Sequence, residues 1–404
     1  MAREQSINKR QRRGTGRWGE AAPLILLLVI YLAFSIADLQ SSAQTSNRGA
    51  DRSLAHMALL LLTGYLTVYL VFQAKKIASF RIVQPLGGLC VLAVWVLISC
   101  LYNQVSTWDL LVRENMSVLW VLSYVSFFCY ASGSSRRKLN LHRFSLILLL
   151  FFAAATVYYF AYITIVLKHV PVLNVVYNVL ALLPWVMVGL RGRKRMLLYL
   201  LCGVIAVLSM KRGAIVALPL MYVVDVAVNN KNGKKGELVR KIGGLLAAIV
   251  AFCVLFLLFD NATGGFLSSR FSASEIASGS GRSDQYTLAF AALSERNLLE
   301  LIMGSGVGSS VDLIGTGIHN EWIEILYSYG LVGLAIYASM VFGLIRRAGH
   351  LSRCVPDCKP SCWMMVALIL VISLISSAYG AYVGFFLFGF WGFVEAAAGQ
   401  KGLD

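Results

Sequence analysis

His319-Asn320-Glu321-Trp322-Ile323-Glu324-Ile325-Leu326-Tyr327-Ser328-Tyr329-Gly330-Leu331-Val332-Gly333 closes the one long polar stretch of this chain and opens an apolar one. Its first residues are polar, and its last are apolar with two glycines three positions apart. The reading that follows is a large loop handing over to a membrane helix. A histidine that close to lipid, beside a glycine-spaced helix start, points to chemistry at a membrane surface. The rest of the chain says how that surface is built.

Of 404 residues, 58% are hydrophobic and 14% charged. A soluble domain carries about 25% charged residues, so lipid is the main solvent here. The first apolar run follows a basic tail (Arg3, Lys9, Arg10, Arg12, Arg13, Arg17) without a small-residue cleavage site. It therefore reads as a membrane helix, not a cleaved leader. A span needs about 20 apolar residues. Twelve stretches meet or approach that length, near 22–39, 54–74, 82–102, 116–133, 144–167, 171–190, 195–210, 213–228, 242–260, 322–345, 363–378 and 380–396.

Charge tests this count. With the start inside, the even-numbered connections hold Lys75, Lys76 and Arg81; Arg136, Arg137 and Lys138; Arg191, Arg193, Lys194 and Arg195; Lys231, Lys234, Lys235, Arg240 and Lys241; and Arg346, Arg347, Arg353 and Lys359. The outward connections are poor in Lys and Arg. That is the positive-inside pattern, with both termini cytoplasmic. Most of the net charge of +17 is then a topology signal and an attraction to anionic lipid. Nucleic-acid binding is set aside, because no basic soluble domain exists.

The fold expected is a single all-α polytopic domain over 1–404, with about twelve transmembrane helices. One large extracytoplasmic loop, 261–321, lies between helices nine and ten. The loop is rich in glycine and serine, as in Gly304-Ser305-Gly306-Val307-Gly308. Within it, 284–303 places Tyr286, Phe290, Leu293, Leu298 and Leu301 near helical spacing, which predicts amphipathic helices on the outer membrane surface. A loop this long is functional or disordered, and its apolar content argues against disorder. Of the eight cysteines, Cys90, Cys100, Cys129, Cys202 and Cys253 fall inside predicted spans as packing residues. Cys354, Cys358 and Cys362 lie in a cytoplasmic connection. Their spacing is unlike common zinc sites, and free thiols are the plain reading.

Lys211-Arg212 breaks the charge rule, since it joins two helices on the predicted outer side. Cations at that boundary are expensive. Snorkelling anchors are one reading. The other is an anion site: Gly213 allows close backbone approach, the following helix offers its N-terminus to phosphate, and arginine matches phosphate oxygens in pairs. Arg282, after Gly281 and before Ser283 and Asp284, is either a solvated loop residue or a second such cation. Arg270 and Arg296 are weaker candidates. His319 is the sole histidine of the loop, and its ordinary pKa near 6.5 suits a general base. Glu321 and Glu324 complement the helix dipole, and either is placed to orient the imidazole.

At this point a resemblance becomes specific. His319-Asn320, nine residues, then Gly330-Leu331-Val332-Gly333 resembles the H-[NSQ]-x9-G-x-x-[GTY] pattern of the O-antigen ligase and Wzy-type polysaccharide polymerase superfamily. Lys211-Arg212-Gly213 after a helix, Gly281-Arg282 in the loop and the glycine run at 304–308 resemble it in the same order. The resemblance covers the chain from about residue 200, and before that only hydropathy matches.

The resemblance implies a GT-C-like membrane glycosyltransferase of the bacterial cytoplasmic membrane, with its active site on the outer face. It implies a donor glycan on undecaprenyl diphosphate, transfer to a sugar hydroxyl with inversion, and no metal or other cofactor. No D-x-D motif occurs in the loop, so fixed cations must neutralise the diphosphate. Arg212, Arg282 and His319 are the expected catalytic residues, with Lys211, Gly213, Gly281, Asn320 and Glu324 as weaker substrate-binding ones. A chain-length regulator and a flippase are the partners the resemblance suggests. Polymerisation of lipid-linked repeat units into O-antigen, capsule or exopolysaccharide is the favoured reading. The alternative is ligation of the glycan to lipid A–core or protein. A lipid-linked glycan transporter is the reading from another class. It needs ionisable residues near the midplane, and only Asp225 lies well inside a predicted span, near its cytoplasmic end.

Overall fold

A computed structural model describes residues 17–44, 53–78, 83–106, 115–167, 172–190, 192–229, 243, 250, 253–262, 264–270, 272, 282–315, 317–377, 379 and 382–401. Among the described residues there is no strand. In chain order the helices are α1 (Arg17–Gln44), α2 (Ser53–Phe72), α3 (Ala74–Ala78), α4 (Gln84–Tyr102), α5 (Asn115–Ala131), α6 (Ser135–Ala161), α7 (Val176–Met187), α8 (Arg193–Leu208) and α9 (Arg212–Asn229). There follow α10 (Cys253–Ala262), α11 (Phe266–Arg270), α12 (Arg282–Ser294), α13 (Leu298–Met303), α14 (Ser309–Ile314), α15 (Glu321–Cys354), α16 (Lys359–Ile375) and α17 (Gly384–Lys401).

Each expected span meets a helix, but they are not equal. Among the described residues seven are long and apolar enough to cross a membrane: α1, α2, α4, α6, α9, α15 and α16. The apolar parts of α5, α7, α10 and α17 are shorter, and α8 has 16 residues. The described helices thus support seven spans by length and composition, where the sequence led to an expectation of twelve. The reason is visible in α7. Every residue of its 12 except Asn178 is buried, so it is packed within protein and need not match the thickness of lipid.

The bundle is sorted by what each helix faces. Large apolar side chains on α2, α4 and α6, such as Phe72, Val94, Leu101 and Ile147, are exposed. In water such a surface would be a liability, and it is the one that hydrocarbon requires. The inner layer is α5, α7, α16 and α17, with Trp120, Phe127, Trp185, Phe385, Phe390 and Trp391 in its core. α17 packs mainly on α5, α9 on α16, α15 on α4 and α6 on α7. Small residues permit the α5–α17 approach: a Cβ at Gly392 would collide with the Tyr124 carbonyl, and one at Gly389 would lie 2.5 Å from the Phe127 ring.

Two ion pairs fasten the end of the bundle where the cationic connections gather. Arg195 Nε donates to Asp225 Oδ2 at 2.7 Å, and Nη2 pairs with Oδ1. Tyr199 and Asn229 donate to the same carboxylate at 3.2 and 2.6 Å. Arg347 grips both oxygens of Glu395 at 2.5 Å, joining α15 to α17. The carboxylate expected to test the transporter reading is therefore a partner of Arg195. Cys354, Cys358 and Cys362 are free thiols.

The loop builds its own small core. Ala289 and Leu293 of α12 bury against Ile318 and Tyr327, with Tyr286 and Leu301 packed beside them. The predicted stretch 284–303 is two helices, because Asn297 and Glu300 cap α13 reciprocally and end the first run. Tyr286, Leu293 and Leu301 thus turn inward, whereas Phe290 and Leu298 are exposed.

Candidate active site

The connection between α8 and α9 is wound tightly. Met210 is fully buried at φ 53°, a left-handed conformation that a residue with a side chain adopts at a cost of about 1–3 kcal/mol. Its side chain packs with Val207 against Phe160, Phe256, Phe259 and Phe266. Ser209 Oγ accepts from the Lys211 amide at 3.2 Å, and the Lys211 carbonyl accepts from Ala214 at 3.0 Å to start α9. Lys211 and Arg212 are thereby presented, half-buried, at the first turn of a membrane helix. A Cβ at Gly213 would collide with the Tyr177 hydroxyl and lie 2.7 Å from Ile375 Cδ1. Glycine is needed at 213 because Tyr177 at the start of α7 occupies that space.

Arg282 opens α12 and is half-buried. One turn on, Tyr286 donates to the His319 carbonyl at 3.4 Å, which ties α12 to the end of the loop. The His319 ring is half-buried. Its pKa is lowered from 6.5 to about 4 by burial first, then by the positive charges of Lys211 and Arg282. Those two cations come from elements about 70 residues apart in sequence and act on one imidazole. The site is thus a neutral histidine facing a cationic cluster, with Arg212 following Lys211 in the first turn of α9.

The residues after His319 are structural in the contacts they make. Asn320 caps α15, accepting from the Trp322 and Ile323 amides at 3.0 and 3.2 Å. Glu324 accepts from the Ile318 amide at 2.8 Å and from Ser310 Oγ at 2.6 Å. It thus ties the chain before the histidine to the first turn of α15. Glu321, 1% exposed, accepts from Tyr337 at 2.6 Å, from Ser377 at 2.9 Å and from the Tyr379 amide. It anchors α15 to the chain beyond α16. Both carboxylates thus fix the frame in which the imidazole sits.

The paired glycines also acquire a reason. Gly330 sits at φ 71°, ψ −170°, which breaks α15 into two helical pieces. A Cβ there would collide with the Ile302 carbonyl. The carbonyls just before the break find partners outside the helix. Tyr327 O accepts from the Ser305 amide at 3.2 Å and Arg296 Nη1 at 2.8 Å; Ser328 O accepts from the Gly306 amide at 2.8 Å; Tyr329 O accepts from Trp95 Nε1 at 2.8 Å. Ser99 donates to the Met303 carbonyl at 2.7 Å and Asn103 to Gly304 O at 3.0 Å. A Cβ at Gly333 would lie 3.4 Å from the Trp95 ring. The motif Gly-x-x-Gly is thus a helix break and a seat for α4. Buried backbone groups must be satisfied, and the glycine run at 304–306 and α4 do so.

Arg296 belongs to this clamp: its guanidinium donates to Ser305 Oγ at 2.5 Å and covers the Tyr327 ring at 4.1 Å. Gly281, the side chain of Arg270 and the cationic residues at Arg81 and 231–241 lie outside the described residues. Among the described residues no group of three or more His, Cys, Asp or Glu is arranged to hold a metal ion. Sequence reasoning missed Tyr177, Trp95, Ser99, Asn103 and Ser310. Each is an ordinary residue of an apolar helix or loop, and only the fold brings them to partners as many as 234 positions away.

Residues 197–338 match a family model described as O-antigen ligase, Wzy_C. The match runs from α8 into α15 and contains Lys211, Arg212, Gly213, Gly281, Arg282, His319, Gly330 and Gly333. It bears out the resemblance to the O-antigen ligase and Wzy superfamily. Tyr177 and α4 lie outside it. No curated protein matches the chain.

Proposed function

We propose that this chain, whose residues 197–338 are of the O-antigen ligase family, is an inverting, metal-independent glycosyltransferase. Its substrate is an oligosaccharide repeat unit on undecaprenyl diphosphate, which it polymerises on the outer face of a bacterial cytoplasmic membrane. The observation that carries this reading is the meeting of Lys211 and Arg282 on His319. An acceptor hydroxyl oxygen bonds to C1 of the donor sugar as the bond from C1 to the diphosphate oxygen breaks. The electron pair leaves with undecaprenyl diphosphate, whose charge Arg212, Arg282 and Lys211 stabilise. The hydroxyl proton passes to the neutral His319 imidazole and then to solvent.

The electrostatics are self-consistent. A base with a pKa near 4 is weak at neutral pH. Burial lowers it most and the cations lower it further, and a bound diphosphate offsets the cationic part. Donor binding therefore restores part of the basicity of His319 when it is needed. Water exclusion beneath the loop strengthens each interaction. The cation-rich opposite end of the bundle supports cytoplasmic termini by the positive-inside rule. A flippase supplying donor and a chain-length regulator are the partners this reading requires.

The description of the matching family as O-antigen ligase favours a second reading, with lipid A–core or a protein as acceptor. Both readings share one test. The purified protein and its Arg212→Ala, Arg282→Ala and His319→Ala variants are incubated with undecaprenyl-diphosphate-linked repeat unit, chelator and no divalent metal. A product ladder from the wild type, lost in all three variants, is expected of the polymerase. Transfer only after lipid A–core is added selects the ligase. Folded wild-type protein that binds donor but transfers glycan to neither acceptor would revive the transporter.

A further inference from the structure

Among the described residues at the site, Tyr177 carries a buried hydroxyl that the proposed chemistry does not use. The residue is 4% exposed, and its hydroxyl makes no hydrogen bond of good geometry, with the Ser376 side chain beside it as a poorly aligned neighbour. Leaving such a group unpaired costs about 1–3 kcal/mol, so a buried phenol persists there for a reason other than the bare fold. Phenylalanine would fill the same space. The hydroxyl points at the first turn of α9, where it takes the space of a Gly213 Cβ. Lys211 Nζ lies 5.9 Å from the ring centroid, and Arg282 is near enough to act on the phenol. An O–H donor, the first turn of α9 and cations from two elements thus lie around the Tyr177 ring.

We infer that Tyr177 is a further substrate-binding residue, whose hydroxyl donates a hydrogen bond to a phosphate oxygen of the lipid diphosphate held at the start of α9. The inference rests on the diphosphate donor proposed above and adds a neutral donor from outside the matched family segment. The division of labour is physical: the cations supply charge and reach, while a buried, rigid phenol supplies direction. Its ring also packs under Lys211, a cation–π contact that limits where the ammonium can swing.

The test is Tyr177→Phe in lipid nanodiscs, with undecaprenyl diphosphate as the probe. A hydrogen bond to a charged group is worth about 1.5–3 kcal/mol, so affinity should fall about 10- to 150-fold. The unliganded variant should melt at or above the wild-type temperature, because an unpaired hydroxyl has been removed. Equal affinity for the probe in wild type and variant overturns the inference. So does a variant that fails to fold, since the hydroxyl would then be holding the structure. Wild-type protein that binds no undecaprenyl diphosphate strikes at the donor assignment itself, a separate failure.

Discussion

At the scale of single residues, His319 and Gly330 carry the sharpest expectations. The His319 pKa of about 4 places the acid limb of kcat/KM, which reports free enzyme, near pH 4 and not near 6.5. The limb of kcat, which reports the donor complex, should sit at higher pH because the diphosphate screens Lys211 and Arg282. Coincident limbs near 6.5 in both profiles would mean that burial and the two cations do not depress the imidazole, and an acid limb unchanged in His319→Gln would remove the histidine from the base role. The same shift has a sign for stability. The folded pKa is depressed, so as pH falls from about 6.5 to about 4 the unfolded chain takes up a proton that the folded one refuses, and stability drops. His319→Gln should lose less melting temperature over that window than the wild type. Gly330→Ala meets both a positive φ and the Ile302 carbonyl. It should cost at least about 1–3 kcal/mol and most of the activity, read by thermal unfolding and a transfer assay on the same preparation.

At the scale of elements, α4 and α15 act as one unit. Removing the Ser99 or Asn103 donor should cost about 1 kcal/mol each in stability. The larger effect expected is on kcat, because the freed carbonyls lie at the break that sets the His319 end of α15. Ser99→Ala with normal kcat would mean that the clamp is only packing. This coupling was not legible in the sequence, whereas much else was. Hydropathy located the helices because burial in lipid is written along the chain, residue by residue. The pattern from His319 to Gly333 exposed the site end of α15 because its spacing is local. What α4 touches is a matter of helix pairing, and a smooth apolar stretch such as 84–102 shows no preference for one neighbour over another. The lengths of α7 and α17 are less legible for a related reason: a helix sheltered by protein is freed from the span length that lipid imposes.

At the scale of the whole molecule, charge divides the bundle. One end holds Arg195–Asp225 and Arg347–Glu395, whose carboxylates are 3% and 6% exposed. The other end gathers Lys211 and Arg282 near His319. Breaking a buried pair by removing one partner costs about 3–5 kcal/mol, so Asp225→Ala should lower thermal stability severely. Any folded fraction should keep its affinity for undecaprenyl diphosphate, because the pair is remote from Lys211. Loss of affinity in that fraction would mean that the two ends are coupled. The sequence showed both cation sets, but only the fold shows that Arg195 and Arg347 are paired with carboxylates of other helices.

The anchoring of Glu321 by Ser377 and Tyr379 has a consequence in time. These partners lie beyond α16, so a ribosome must deliver more than fifty further residues before the start of α15 is fixed. Residues 197–338 of a nascent chain carry the cations and the histidine but lack the frame that aligns them. The proposed site is therefore assembled only after Ser377 and Tyr379 have been made and have docked on Glu321.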